Sequence, residues 1–249
     1  MLIQSDYHIH ASFYRIKAPG AFTGPTAAEQ IAAARAAGNR YVGILEHCNQ
    51  AKHHPFQCLI ELSSEFHAPG FDRVDAFLGV EADLADDGSD ACGKTGREKL
   101  KLDYVIGSVH LTPKLIPDVT AYIETEYRRI RNALCYNDNI DIIGHPFGEG
   151  FRYETAGVVA KWGFDLIPSR WLDELIRLTA DSGKALEVNR CDPEDLVYCD
   201  FLCRLRDSGA MFSIASDAHR PEGVAAVIER TRWLDQLGFN ENNHWRLQK

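Results

Sequence analysis

The chain has 249 residues, 45% of them hydrophobic and 25% charged, the balance of a globular protein. Its net charge of -9 argues against a broad nucleic-acid or anionic-membrane surface, while leaving room for a local basic pocket that takes a small phosphorylated molecule. "MLIQSDYHIH" has neither the basic start nor the apolar stretch of a leader, and no apolar run nears the roughly 18 residues of a span, so a cytoplasmic protein without a membrane segment is expected.

The first strand reads "SDYHIH" and places His8 and His10 two residues apart. Residues i and i+2 of a strand share a face, so both rings converge. Two converging imidazoles mean a metal, or else a hydrogen-bonded surface pair. "TAAEQIAAARAAG" follows as a helix, with Thr26 and Glu29 at capping-box spacing and a stop at Gly38. A second strand, "YVGILEH", ends on Glu46 and His47, and a third, "AFLGVEADL", carries Glu81 near its end. The polar "ADDGSDACGKTG" reads as a loop. "DYVIGSVH" is the fourth strand and ends at His110. After an amphipathic helix over "DVTAYIETEYRRIRNALCYN", the fifth strand, "IDIIGHP", brings His145. The helix "SRWLDELIRLTADSG" leads to "ALEVN", with Glu187 and Asn189 at its end. "PEDLVYCDFLCRLRDSG" leads to "FSIASDAH", with Asp217 and His219. A last helix covers "PEGVAAVIERTRWLDQLG". Proline starts and glycine stops bracket these last two helices as helix chemistry expects.

Strand and helix in alternation mean parallel strands joined by crossovers. Seven mostly apolar strands point to an α/β barrel, TIM-barrel-like, rather than an open sheet. No repeat, linker or low-complexity tract divides it, so residues 1–249 read as a single domain. The seven cysteines include no CxxC pair and are expected as reduced thiols.

In parallel barrels the C-terminal rim of the strands carries the chemistry. Six of the ten histidines fall at strand ends: His8 and His10, then His47, His110, His145 and His219. A single histidine there is more often structural. Six, joined by Glu81 and Asp217, point to metal. Imidazole with carboxylate suits Zn, Fe or Mn rather than Ca or Mg. The donors outnumber what one catalytic ion needs, so at least two divalent transition metal ions are expected, with Glu81 as the natural bridge.

The ordered series "DYHIH", "LEH", "GVEADL", "DYVIGSVH", "IIGHP" and "SDAH" resembles the PHP (polymerase and histidinol phosphatase) metal-dependent phosphoesterases, from residue 6 to about residue 225. Within that family "EH", "DYVIGSVH" and "EVN" are most similar to histidinol-phosphate phosphatases. The resemblance implies a distorted seven-stranded (β/α)7 barrel. It also implies a first metal on His8, His10, Glu81 and Asp217, a second on Glu81, His110 and His145, and a third to which His47 and His219 contribute. The implied reaction is hydrolysis of a phosphomonoester by metal-activated hydroxide, with Glu81, His47 and His219 as catalytic residues and proton delivery to the leaving group from the two histidines.

One departure stands out. Three-metal relatives add a His or Asp from the loop after the first strand, and "ASFYRIKAPGAFTGPTAAEQ" has neither. Arg15 and Lys17 stand near that place. Either they supply the missing positive charge to phosphate, or both are solvated. Arg152, Arg190 and Arg220 follow rim motifs and are further candidates for gripping phosphate, against a bland reading of each as a surface side chain. Two other function classes stay in view: a nuclease or phosphodiesterase acting on nucleic-acid ends, and a noncatalytic module that has lost its metals.

Overall fold

In the computed structural model, which describes residues 2, 4–11, 25–49 and 56–247, the strands run in chain order and every pairing is parallel. They are β1 (Ser5–His10), β2 (Tyr41–Leu45), β3 (His47–Cys48), β4 (Ala76–Asp83), β5 (Tyr104–Ser108), β6 (Ile142–Ile143), β7 (Ala185–Val188) and β8 (Met211–Ile214). The second expected strand is present in two pieces, β2 and β3, both paired with β4 and parted at Glu46. Seven strands therefore curl as the distorted (β/α)7 barrel. A bridge between Ile9 and Ala218, with the His10 amide donating to the Ala218 carbonyl at 2.9 Å, brings the segment after β8 back against β1.

Helices cover the outside, several with a local cause. In α1 (Ala27–Ala36) both arms of the Thr26–Glu29 capping box form. Then come α2 (Phe56–Phe66), α3 (Gly93–Leu100), α4 (Val119–Tyr136), α5 (Phe151–Thr155), α6 (Ser169–Ser182), α7 (Leu196–Asp207) and α8 (Ala226–Gln236). Asp118 caps α4 by accepting the Thr120 amide, and Gly183 ends α6 at φ +69°.

Several boundaries differ from the sequence expectation: the strands expected to reach His110 and His219 end at Ser108 and Ile214, the last helix is 3-10 over Pro221–Ala225 before its α-helix begins, and three further shifts have a visible local cause. The loop "ADDGSDACGKTG" turns helical at Gly93, because Asp90 accepts the Cys92 and Gly93 amides at 3.0 and 2.6 Å and starts α3. The helix expected from Pro193 begins at Leu196, since Asp195 is its cap and accepts the Tyr198 amide. The fifth strand shrinks to Ile142–Ile143, because His145 leaves the extended region at φ +27° and Pro146 has no amide to donate.

The core has two parts. A large one lies between strands and helices, with Leu62, Phe66, Tyr122, Leu172, Leu175 and Leu205 fully covered. A smaller one fills the barrel below the rim: Tyr7, Leu45, Phe77, Tyr104, Ile106, Ile142, Ala185 and Trp245. Trp245 comes from the C-terminal tail, which pairs with Phe212 and meets Tyr7 edge-on at 5.0 Å. The floor of the barrel is therefore filled, and the open end is the rim. Among the described residues no helix is long and apolar enough to cross a membrane, and all seven cysteines are free thiols.

Candidate metal centre

β1 and β2 step unequally: Asp6 pairs with Val42 and Ile9 with Ile44, so β1 carries one extra residue across this interval. The bulge falls at Tyr7 and His8, and bulges re-aim side chains beside functional sites. Asp6 holds it, accepting the His8 and Ser216 amides at 3.1 Å each. Beyond it, His8 and His10 turn their Nε2 atoms to within 3.2 Å of one another.

Glu81, 1% exposed and near the end of β4, is the hub. Its Oε1 faces His145 Nε2 at 2.8 Å, His110 Nε2 at 3.2 Å and His8 Nε2 at 3.4 Å. Its Oε2 faces His47 Nδ1 at 2.7 Å and His10 Nε2 at 3.4 Å. Asp217 Oδ1 closes the far side, 3.2 Å from His10 and 3.5 Å from His8. His219 stacks on His10 at 4.0 Å and turns Nδ1 to the Asp217 carbonyl. The structure thus brings together all eight residues expected at the rim. His8, His10, Glu81 and His145 form a buried floor, whereas the side chains of His110, Asp217 and His219 are about 30% exposed and look outward.

Four overlapping groups have ligand atoms within 4.8 Å of one another: His8, His10 and Glu81; His8, His145 and Asp217; His47, Glu81 and His110; and His10, His47 and His219. The chemistry of this donor set fits transition metal ions. Five imidazole nitrogens face one carboxylate, several face each other, and no cysteine joins any group among the described residues.

The electrostatics agree. Burial works to raise Glu81, but His110, His8 and His47 beside it hold it well below the usual carboxylate range. Burial works to lower His8, yet Glu187 and Glu81 raise it well above its ordinary value. His10 likewise rises to about 9, against its burial, through Asp217 and Glu46. The carboxylates of the floor call for positive charge, which divalent ions supply. Burial pushes His47 down and takes His219 down to about 3, so both are neutral near pH 7, the form that ligates metal.

Sequence reasoning missed the carboxylates behind the histidines. Glu187 Oε2 accepts from His8 Nδ1 and Asp83 Oδ1 from His110 Nδ1, both at 2.7 Å, which turns each Nε2 inward. Glu46 lies 3.5 Å from His10 Nδ1. The signal for Asp83 was present: it stands two residues beyond Glu81 on one strand, hence on one face.

The arginines stand differently. Arg190 donates to Asp192 and Asp195 at 2.9 Å each and lies over the Tyr198 ring at 4.6 Å. It lines a cavity of about 370 Å³ with Gly148, Phe151, Trp162 and Asn189, next to His145. Arg152 pairs with Glu149 and is half exposed, and Arg220 is exposed just past His219. Arg15 and Lys17, with the loop that carries them, lie outside the described residues.

Seven parallel strands curled under this rim of imidazoles and carboxylates give the fold of the PHP type, a distorted (β/α)7 barrel. Histidinol phosphate phosphatase from Lactococcus lactis subsp. lactis Il1403, solved with zinc, L-histidinol and phosphate, matches with a TM-score of 0.65 over 97% of this chain and 96% of that one, at 19% identity. The DNA polymerase/3'-5' exonuclease PolX of Bacillus subtilis (strain 168) is 26% identical over 228 residues, 88% of this chain. The chain spans 35% of that relative's length. No family model matches the sequence.

Proposed function

We propose that the chain is a metal-dependent phosphomonoesterase, and that histidinol phosphate is the first substrate to try. The observation that carries this is Glu81: one buried carboxylate is ringed by five imidazoles, Oε1 facing His8, His110 and His145 and Oε2 facing His10 and His47, so it would be within reach of the ligands of more than one ion. In this reading His8, His10, Glu81 and Asp217 hold one ion and Glu81, His110 and His145 a second. His47 and His219 with His10 hold a third where one binds. Zn, Fe and Mn all suit these donors. Such ions, when bound, neutralise phosphate oxygens and make water acidic enough to be deprotonated at neutral pH.

The chain's own groups set the geometry. Glu187 and Asp83 fix the tautomers of His8 and His110, and the buried floor keeps bulk water from one side. For His47 and His219 we retain the ligand role over proton delivery, since neutral imidazoles have no proton to spare. Arg190, held by Asp192 and Asp195 beside the cavity, is our candidate for meeting the substrate, with Arg152 and Arg220 behind it and Arg15 and Lys17 from the loop after β1. Support for a small phosphorylated ligand comes from the solved phosphatase, which carries histidinol and phosphate. The single domain over 1–249 and the reducing, cytoplasmic setting suggested by seven free thiols complete the reading.

The PolX relative favours one alternative, a phosphodiesterase acting on nucleic-acid ends. Phosphate release from a panel of phosphorylated metabolites, with Mn, Zn and Fe added separately and single-stranded DNA alongside, separates the two. The phosphomonoesterase reading expects metal-dependent release from small phosphomonoesters. Cleavage of DNA ends with no release from any metabolite selects the alternative.

A further inference from the structure

The segment that carries His145 is a tight turn with an unusual residue in it. Gly148 donates its amide to the His145 carbonyl at 2.7 Å, closing a four-residue turn over His145, Pro146, Phe147 and Gly148. Proline fixes the first central φ near -65°. Phe147 then sits at φ +58°, ψ +20°, and this pair defines a type II turn, whose second central position is ordinarily glycine. Phe147 is 1% exposed and meets Phe164 edge-on at 6.0 Å, so glycine there would leave a hole in the core. His145 itself is at φ +27°.

Type I and type II turns differ by a flip of the central peptide, here the one joining Pro146 to Phe147. A type I turn would return Phe147 to negative φ. What opposes that flip is visible: the Phe147 amide donates to Glu126 Oε1. Glu126 belongs to α4, 21 residues earlier, and is 1% exposed, with Tyr122, His145 and Glu149 around its carboxyl. At the other end of the turn the His145 amide donates to Glu187 Oε1 at 3.1 Å. Carboxylates from two separate elements thus clamp this four-residue turn, and between them His145 Nε2 is delivered 2.8 Å from Glu81. None of the metal-ligating groups includes Glu126.

We propose that Glu126 is a positioning residue: by accepting the Phe147 amide it locks the central peptide of the turn and so places His145 as a metal ligand. The inference rests on the metal-centre reading above. Its work is done by an acceptor oxygen and not by charge, so Glu126→Gln, which keeps an oxygen, should preserve it and Glu126→Leu should not.

The test is metal binding to chelator-stripped full-length protein, titrated with zinc alone and read by equilibrium dialysis with elemental analysis. Outer partners of metal ligands are typically worth ten- to a hundredfold in affinity. The Glu126→Leu variant should lose that much at one ion and keep the others, and the Glu126→Gln variant should match the parent within about threefold. A folded Glu126→Leu variant that binds every ion as the parent does overturns the proposal. A Glu126→Gln variant as impaired as Glu126→Leu overturns the acceptor role. A parent that binds no zinc overturns the metal-centre reading instead, so the two failures are distinct. Should the Glu126→Leu variant not fold, the Phe147 amide proton, followed by NMR in protein labelled with 15N-phenylalanine, decides between the parent and the Glu126→Gln variant. It should lie downfield and exchange slowly in both, and rapid exchange in the parent counts against the clamp.

Discussion

At the scale of single residues, Glu81 concentrates the site. Five imidazoles stand within 3.4 Å of it, and it is almost wholly buried. Glu81→Ala should therefore lose more than one equivalent of metal from the purified protein. Elemental analysis that finds only one ion missing would rule out a bridge. The carboxylates behind the ring are the second target. Glu187→Gln leaves His8 with a neutral partner and should weaken metal binding about ten- to a hundredfold, as measured by titration with a chelating dye. An unchanged affinity would make Glu187 a core residue only. The histidines were legible in the sequence because six of them recur at the ends of apolar runs. Asp83 shared the face of Glu81 by its i+2 spacing, but Glu187 was not legible as a partner of His8, because a carboxylate that contacts a ring nitrogen from behind leaves no spacing pattern, and only folding shows which ring it meets.

At the scale of elements, the strands close around Tyr104. Its hydroxyl donates to the Tyr7 carbonyl at 2.6 Å, and its ring lies against Gly43 and Gly79. A Cβ at Gly79 would come within 2.2 Å of the ring, and Tyr104 is fully buried with nowhere to retreat. Gly79→Ala should cost about 1–3 kcal/mol by overpacking, read from the urea midpoint. Adding Tyr104→Leu should relieve the overlap, so that the double variant loses less than the two changes summed. Simple additivity would show that the ring does not set the limit. The alternation of strand and helix, the capping box of α1 and the glycine stops were all readable, since each depends on neighbours in sequence. The bulge in β1 was not, because it is a mismatch between β1 and β2. Nor was the turn at His145, where a phenylalanine stands in a glycine conformation for reasons of packing.

At the scale of the whole molecule, the C-terminal tail plugs the end of the barrel opposite the rim. His244 stacks on Phe212 at 5.0 Å, and its Nε2 meets Ser5 Oγ at 2.9 Å. Burial takes its pKa from the ordinary 6.5 down to about 4. As pH falls, the unfolded chain binds this proton first. The stability it contributes is whole above pH 6.5 and is lost between there and pH 4. The loss amounts to about 3 kcal/mol. His244→Gln should flatten that part of the pH–stability curve relative to the parent, while identical curves would mean the ring is protonated in place. The rim, with Glu81 at its centre, is the other end of the same barrel. The measurement that tests a metal centre there most directly is release of inorganic phosphate from histidinol phosphate by chelator-stripped protein, before and after reloading with Zn, Mn or Fe. The stripped protein should be inactive, at least one metal should restore turnover, and Glu81→Ala should stay inactive under every metal. Equal phosphate release by stripped and reloaded protein, or full activity in Glu81→Ala, would contradict a metal centre built on Glu81.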